Sequence, residues 1–424
     1  LSDSLASTPW YLRLLRDEGA VVDRLAYLLG TSKLVPDLMV RAPEVLRLFA
    51  HTDELAGRDP VDVAHSLANT VRRHADVAQA VAAARSSRRH ELLRVASADL
   101  LGLLPLPAVQ AALSSVWVGV LRAALDAVLR ARTGPRLARF AVIGMGRLGG
   151  AELGYGSDAD VMFVCQPHDG VSDADAVRWA GSVAESLREA LGSPSQDPPL
   201  VVDADLRPEG RQGPLVRTFD SYVAYYDKWA EPWEAQALLR ARPVAGDPEL
   251  GAAFIAAVDP VRYPEGGLTQ PQVLHIRRIK ARVDSERLPR GADPWTHTKL
   301  GRGGLADVEW TVQLLQLRHA HETEGMRTAA TLAGIDAARA AGYLDDADAE
   351  ALVSAWVLAT KARNATMLVR GKASDQLPST IRELAAVANA VNGTTVTEPG
   401  KFLDDYRRTT RRARAVFERV FYED

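Results

Sequence analysis

The stretch Ala141 to Val164 reads AVIGMGRLGGAELGYGSDADVMFV, and the rest of the chain is read outward from it. A short apolar run, Phe140 to Ile143, leads into a loop holding Gly144, Gly146, Gly149, Gly150, Gly154 and Gly156. Ser157-Asp158-Ala159-Asp160 then opens a second apolar run, Val161 to Cys165. This is the pattern of a strand, a glycine loop and a second strand that begins with two carboxylates. Successive strand side chains point to opposite faces, so Asp158 and Asp160 point the same way. Neighbouring carboxylates repel unless a cation lies between them, and hard oxygen ligands suit Mg2+, which keeps sites for water and substrate phosphates. The stretch predicts a site for magnesium and a nucleotide.

Gly144-Met145-Gly146-Arg147-Leu148-Gly149 also satisfies the dinucleotide-binding pattern GxGxxG. That fold needs a helix starting at the loop and an acid at the end of the next strand, about 20 residues on. Here Gly150, Gly154 and Gly156 oppose a packed helix, and the acids come at the beginning of the next strand.

A chain of 424 residues is long enough for two or three domains with sizeable cores. Its apolar share of 47% and charged share of 25% are those of an ordinary globular protein. A net charge of −3 supplies no global field to hold nucleic acid. The single cysteine, Cys165, excludes an internal disulfide, suits a reducing cytoplasm and reads as a small buried strand residue. No signal-peptide pattern opens the chain, and no apolar run is expected to approach the roughly 20 residues that span a bilayer. A first residue Leu1 in place of Met suggests a piece of a longer protein.

From Ser7 to Leu104 the pattern is helical, with a Thr8-Pro9 start, a segment ending near Gly30 and another start at Ala42-Pro43-Glu44. The basic run Arg85, Arg88, Arg89, His90 reads as a solvated face, and Pro105 and Pro107 mark a boundary. Ala108 to Ala131 is a long helix feeding the central unit, and Asp173 to Leu191 an amphipathic one, followed by a Gly-Ser-Pro loop from Gly192 to Pro199. Leu200 to Leu206 alternates like a strand, placing Asp203 and Asp205 on one face. An acid inside an apolar strand is costly without a cation or hydrogen bonds, so Asp203 is a natural third metal ligand. Another short strand begins near Gly213, and helical signals run from Thr218 to the C-terminus, with Trp229, Trp233 and Glu234 read as core. Lys299 to Trp310, KLGRGGLADVEW, is a glycine turn entering a helix, either a phosphate receptor aided by Lys299 and Arg302 or a tight domain junction. His319 and His321, two apart on a helix, face different directions and make no metal pair. Arg407, Arg408, Arg411, Arg412, Arg414 and Arg419 form a basic, solvated face on the last helix.

Gly146, eleven residues and then Asp158-Ala159-Asp160 together resemble the signature of the DNA polymerase beta-like nucleotidyltransferases. The fuller strings GMGRLGGAELGYGSDADVMF, VDADLRPEG (Val202 to Gly210), WEAQALLRARPVAGDP (Trp233 to Pro248), KLGRGGLADVEW and LLRVASADLLGLLP (Leu92 to Pro105) are similar to the bifunctional glutamine synthetase adenylyltransferases. That family has two similar halves, one adding AMP from ATP to a tyrosine of glutamine synthetase and one removing it by phosphorolysis. Glutamine and a PII-type signalling protein choose between them. With one SDxD unit and Glu152-Leu-Gly-Tyr155 before it, the chain resembles the C-terminal, adenylylating half, and its finish in a helix and the short tail Phe421 to Asp424 would suit a natural C-terminus. Arg147 stands where lysine is frequent, Ala159 where a larger aliphatic is usual and Asp205 where arginine is common, which leaves open which cation from that strand meets the triphosphate.

The resemblance implies an α+β, mostly helical protein. A polymerase beta-like core with a small mixed sheet (107–260) would be flanked by an N-terminal helical region (1–106) and a C-terminal helical bundle (261–424). It implies Mg2+ at Asp158, Asp160 and Asp203 as catalytic and metal residues, with ATP as substrate held by Gly146, Arg147, Gly149, Gly150, Ser157 and Arg207. The partners implied are glutamine synthetase and a PII-type protein, with neither nucleic acid nor membrane. Deadenylylation, nucleotidyl transfer to an RNA or small molecule, and a regulatory domain without chemistry are the other readings.

Overall fold

The computed structural model describes residues 9–195, 197, 200–393 and 397–423. The expected cap at Thr8, part of the Gly-Ser-Pro loop and Asp424 lie outside them. The fold is α+β and mostly helical, around one small mixed five-stranded sheet.

The central stretch forms β1 (Ala138–Gly144) and β2 (Ala159–Pro167), paired antiparallel from Ala138 opposite Pro167 to Gly144 opposite Val161. Antiparallel pairing of these two strands rules out the dinucleotide-binding fold, although the loop does hold one helical turn, Gly146–Gly149. β3 (Val202–Asp203) and β4 (Val216–Thr218) both run parallel to β2, at its beginning and its middle. β5 (Arg242–Gly246) closes the other side against β1, with a register shift between Val142 and Ile143.

Alternation sorts the sheet's residues onto two cores. Phe140, Val142, Val161, Phe163 and Cys165 face a large cluster that also takes in the N-terminal helices, the Leu106–Ala131 helix and the Asp173–Gly192 helix. Ala141, Ile143, Met162 and Val164 face a smaller one with Tyr222, Phe254 and Val258 from the Phe219–Trp229 and Pro248–Arg262 helices. A third cluster fills the C-terminal bundle around Trp356, Tyr406 and Phe417. Cys165 is fully buried, and burial pushes its thiol up to about 12.

Several expectations are corrected. The strand expected over Leu200 to Leu206 is only Val202–Asp203, because the chain turns at once and Asp205 N–H donates to Asp203 Oδ1 at 2.7 Å. Arg242–Gly246, expected within helical sequence, is the edge strand β5. Leu106–Ala131 is, at 26 residues, long and apolar enough to cross a membrane by length and composition, and two-thirds of its most apolar stretch is buried as core. Trp229 is not core but 69% exposed. Residues Pro43–Ala50 form a 3-10 helix. Arg85 and Arg88, read as solvated, are buried; Arg85 donates to the carbonyl of Ser193 at 2.6 Å, capping the Asp173–Gly192 helix. The arginines of the last helix, Pro399–Tyr422, are partly drawn inward: Arg414 pairs with Asp307 at 3.0 Å and Arg419 with Asp348.

Candidate active site

The two aspartates of the SDxD unit stand at the mouth of β2. Asp160 lies on the Met162 and Val164 face, and the parallel register sets Asp203 directly beside it. Asp158, just before the strand, lines the same cleft, whose volume is about 1290 Å³. Burial raises the Asp160 carboxyl to about 6, and Asp158 and Asp203 add to the rise, while Lys299 and Arg240 oppose it. Among the described residues no three His, Cys, Asp or Glu side chains stand close enough to hold an ion as they are. The donor set nevertheless fits Mg2+ in its chemistry: three hard carboxylates open to one cleft, with negative charge in excess at Asp160.

Gly146 is the contact that makes room for this acid. Its φ is +49°, and a Cβ there would lie 2.4 Å from Asp160 Oδ2. Gly149 answers a different need, since its Cβ would fall 1.7 Å from the carbonyl oxygen of Arg240. The amides of Gly149 and Gly150 donate to the carbonyls of Met145 and Gly146 at 2.8 and 3.1 Å. They are therefore engaged within the one-turn helix instead of facing the cleft, where phosphate binding would need them. Arg207 is likewise drawn away: its guanidinium donates to the carbonyls of Ala204, Gly213 and Arg211 and folds the turn after β3. Gly146, Arg147 and Ser157 do line the cleft.

Beneath the aspartates lies a buried ionic floor that sequence reasoning did not assemble. Arg240 Nη1 meets Glu152 Oε2 at 2.8 Å, and Thr331 closes on the same carboxylate through its amide at 2.5 Å and its hydroxyl at 2.9 Å. Burial works against the Arg240 charge, but Glu152 and Glu309 outweigh it and raise its pKa. Glu309 is also held ionised: burial pushes its carboxyl up, and Arg240 and Arg147 more than offset this. Arg147 bonds the Glu152 carbonyl at 2.8 Å and sits 5.8 Å from the Trp356 ring, and burial lowers it to about 10. Its Nη2 is buried with no hydrogen-bond partner among the described residues. The signal for these residues was in the quoted strings: Glu152, Arg240 and Glu309 each sit in a different one.

The KLGRGGLADVEW turn has most of its backbone amides already hydrogen-bonded to the protein. The amides of Gly301 and Leu305 donate to the carbonyls of His297 and Thr298 just before the turn, those of Gly304 and Ala306 to Gly301 and Lys299 within it, and Gly303 donates to Asp307 Oδ2 at 2.7 Å. Lys299 still lines the cleft, whereas Arg302 stacks over Trp295.

The family model described as Glutamate-ammonia ligase adenylyltransferase matches residues 22–257, more than half of the chain. The chain belongs to this family. It is a family of nucleotidyltransferases, and a further model, GlnD PII-uridylyltransferase, matches residues 277–421. Proteins named bifunctional glutamine synthetase adenylyltransferase/adenylyl-removing enzyme are similar throughout. That of Nocardia farcinica is 60% identical over 428 positions, covering 99% of this chain and 43% of its own. That of Mycobacterium avium is 58% identical over 431 positions, with the same coverage. The chain thus spans less than half the length of these relatives. Within the adenylyltransferase family frame, the strings distant in sequence converge here on one cleft: the glycine loop and β2, the turn after β3, the Pro232–Leu238 helix, and Lys299 with the Leu305–His319 helix.

Proposed function

We propose that this chain is the adenylylating half of such an enzyme: it transfers AMP from ATP to a tyrosine hydroxyl of glutamine synthetase, releasing pyrophosphate, and so regulates nitrogen assimilation in the cytoplasm, answering to a PII-type protein. The observation that carries the reading is the meeting of Asp158, Asp160 and Asp203 in one cleft beside Lys299 and Arg240. The direction is supported by the likeness of Glu152-Leu-Gly-Tyr155 to the adenylylating halves.

Asp158, Asp160 and Asp203 would hold Mg2+, which when bound neutralises the triphosphate and the charge that develops on the leaving pyrophosphate. The chain's own cations do the rest. Lys299 and the unpartnered Arg147 Nη2 would hold phosphate oxygens, with Arg147 held in place by its bond to the Glu152 carbonyl so that it needs no rearrangement as charge moves. The Ser157 hydroxyl, which accepts from the Gly154 amide at 3.0 Å, has its proton free to donate to a further oxygen. Tyrosine, with a pKa of about 10, enters protonated. Asp203 Oδ1 already accepts from Asp205, so Oδ2 is the atom open to that proton as attack proceeds.

The test is to incubate the chain with Mg2+, ATP labelled at the α-phosphate and unmodified glutamine synthetase, then map the label. Label on a tyrosine, lost with Asp158→Asn, supports the proposal. Phosphate-dependent release of ADP from pre-modified synthetase, without labelling, would make the chain the adenylyl-removing half.

A further inference from the structure

We propose that a pair of glutamines, Gln236 and Gln313, reads the nucleobase, selecting adenine; this rests on the reading of the cleft as a nucleotide site. The same four-residue pattern occurs on two helices that pack together: Trp233-Glu-Ala-Gln236 on Pro232–Leu238 and Trp310-Thr-Val-Gln313 on Leu305–His319. Residues three apart share a helix face, so each tryptophan stands over the same face as its glutamine. All four side chains line the cleft that holds the aspartates.

The two amides are hydrogen-bonded to each other, Gln236 Nε2 donating to Gln313 Oε1 at 2.7 Å. That bond uses one N–H of Gln236 and one lone pair of Gln313, and leaves Gln236 Oε1 as an acceptor and Gln313 Nε2 as a donor for a base in the cleft. Adenine presents the complement, its N6 amino donor beside the N1 or N7 acceptor, the same acceptor and donor pair that one glutamine amide offers when it recognises adenine alone. Guanine presents O6 and N1–H in the reverse order, so accepting it requires both amides to turn together. The indoles offer apolar faces for the purine ring. The placement also suits a nucleotide whose phosphates lie at the aspartates. Glu309, four residues before Gln313 and so about 6 Å along the helix, is 3.9 Å from Arg240, whose charge is felt at Asp160.

The experiment measures equilibrium binding of ATP, GTP and purine riboside triphosphate, which lacks the N6 amino group, in the presence of Mg2+. The full 424-residue chain is compared with its Gln236→Met and Gln313→Met variants. The unaltered chain is expected to prefer ATP over both analogues by roughly tenfold or more. Gln236→Met should lose most of the preference over purine riboside triphosphate while binding that analogue about as the parent does, and Gln313→Met should weaken ATP and purine riboside triphosphate alike and lose most of the preference over GTP. Methionine conserves volume, circular dichroism checks the fold, and Gln236→Leu or Gln313→Leu serves with the same expectation if a methionine variant unfolds. Unchanged selectivity in the folded variants overturns the inference while leaving the nucleotidyltransferase reading intact. Failure of the unaltered chain to bind any of the three overturns both.

Discussion

Asp158 and Asp160 are the residues on which transfer should depend most directly. Replacing either by Asn keeps size and removes the charge that would hold a cation, so activity should fall at least about 100-fold. Thermal unfolding should be nearly unchanged, and a purified variant that retains normal turnover would remove the pair from the mechanism. Gly146→Ala makes a sharper test of positioning. The added Cβ both sits at positive φ, a strain of about 1 kcal/mol, and meets the Asp160 carboxylate. Nucleotide transfer should drop much more than stability does; a variant with wild-type kcat would show that Asp160 tolerates being moved. The glycine loop also shows where residue types mislead. Gly149 and Gly150 look like anion-binding amides, yet their N–H groups are spent inside one helical turn, and Gly149 is glycine because the Arg240 carbonyl presses against it.

At the scale of elements, the loop between β1 and β2 is pinned from below by the Val77–Leu100 helix. Tyr155 OH donates to Asp99 Oδ2 at 2.8 Å, in a site where burial raises the Asp99 carboxyl to about 6 despite the Tyr155 bond and the nearby Lys361 charge. The sign follows from proton counting. Between the unfolded value near 3.9 and the folded value near 6, the native state binds more protons than the unfolded one. Asp99 therefore favours folding most below that window, and the contribution is lost as pH rises through it. Asp99→Asn should flatten the pH dependence of denaturant midpoints between pH 4 and 6, and an unaltered slope would contradict this account. Tyr155→Phe leaves the buried acid without its donor and should cost about 1–3 kcal/mol in urea unfolding at neutral pH. This helix carries the first nine residues of the string LLRVASADLLGLLP, so one of the strings similar to the family acts here as support for the loop.

Across the whole molecule, Asp307 joins the parts that make the cleft. Its carboxylate accepts from fully buried Lys280 at 2.6 Å, from the Gly303 amide and from Arg414, tying the Gln270–Glu286 helix, the glycine turn and the Pro399–Tyr422 helix together. Breaking a buried pair from one side strands the other charge, so Asp307→Asn should destabilise the chain by about 3 kcal/mol. Because Lys299, Glu309 and Gln313 hang from the same turn, ATP affinity should weaken with it. A variant with wild-type melting temperature and ATP affinity would count against this role. The N-terminal helices and the C-terminal bundle are joined as well: Ser32 Oγ and the Lys33 amide both reach the carbonyl of Leu368, at 2.6 and 3.1 Å.

The sequence by itself determined the parts whose signal is local. That Asp158, Asp160 and Asp203 share one cleft was legible locally, from two acids opening an apolar strand and a third inside an apolar run; the helices were legible from their periodicity and prolines. Only the tertiary structure decided the rest. β5 could not be read from Arg242–Gly246, since a five-residue segment containing Pro243 and Gly246 is a strand only by pairing with β1, about 100 residues away. Arg207 and Arg302 carried the right charge for phosphate, but whether a guanidinium faces a ligand or a carbonyl depends on which backbone groups the fold brings within reach. The ionic floor of Glu152, Arg240 and Glu309 and the glutamine pair belong to segments far apart in sequence. Their chemistry arises from burial and contact between elements, which no single stretch of the chain contains.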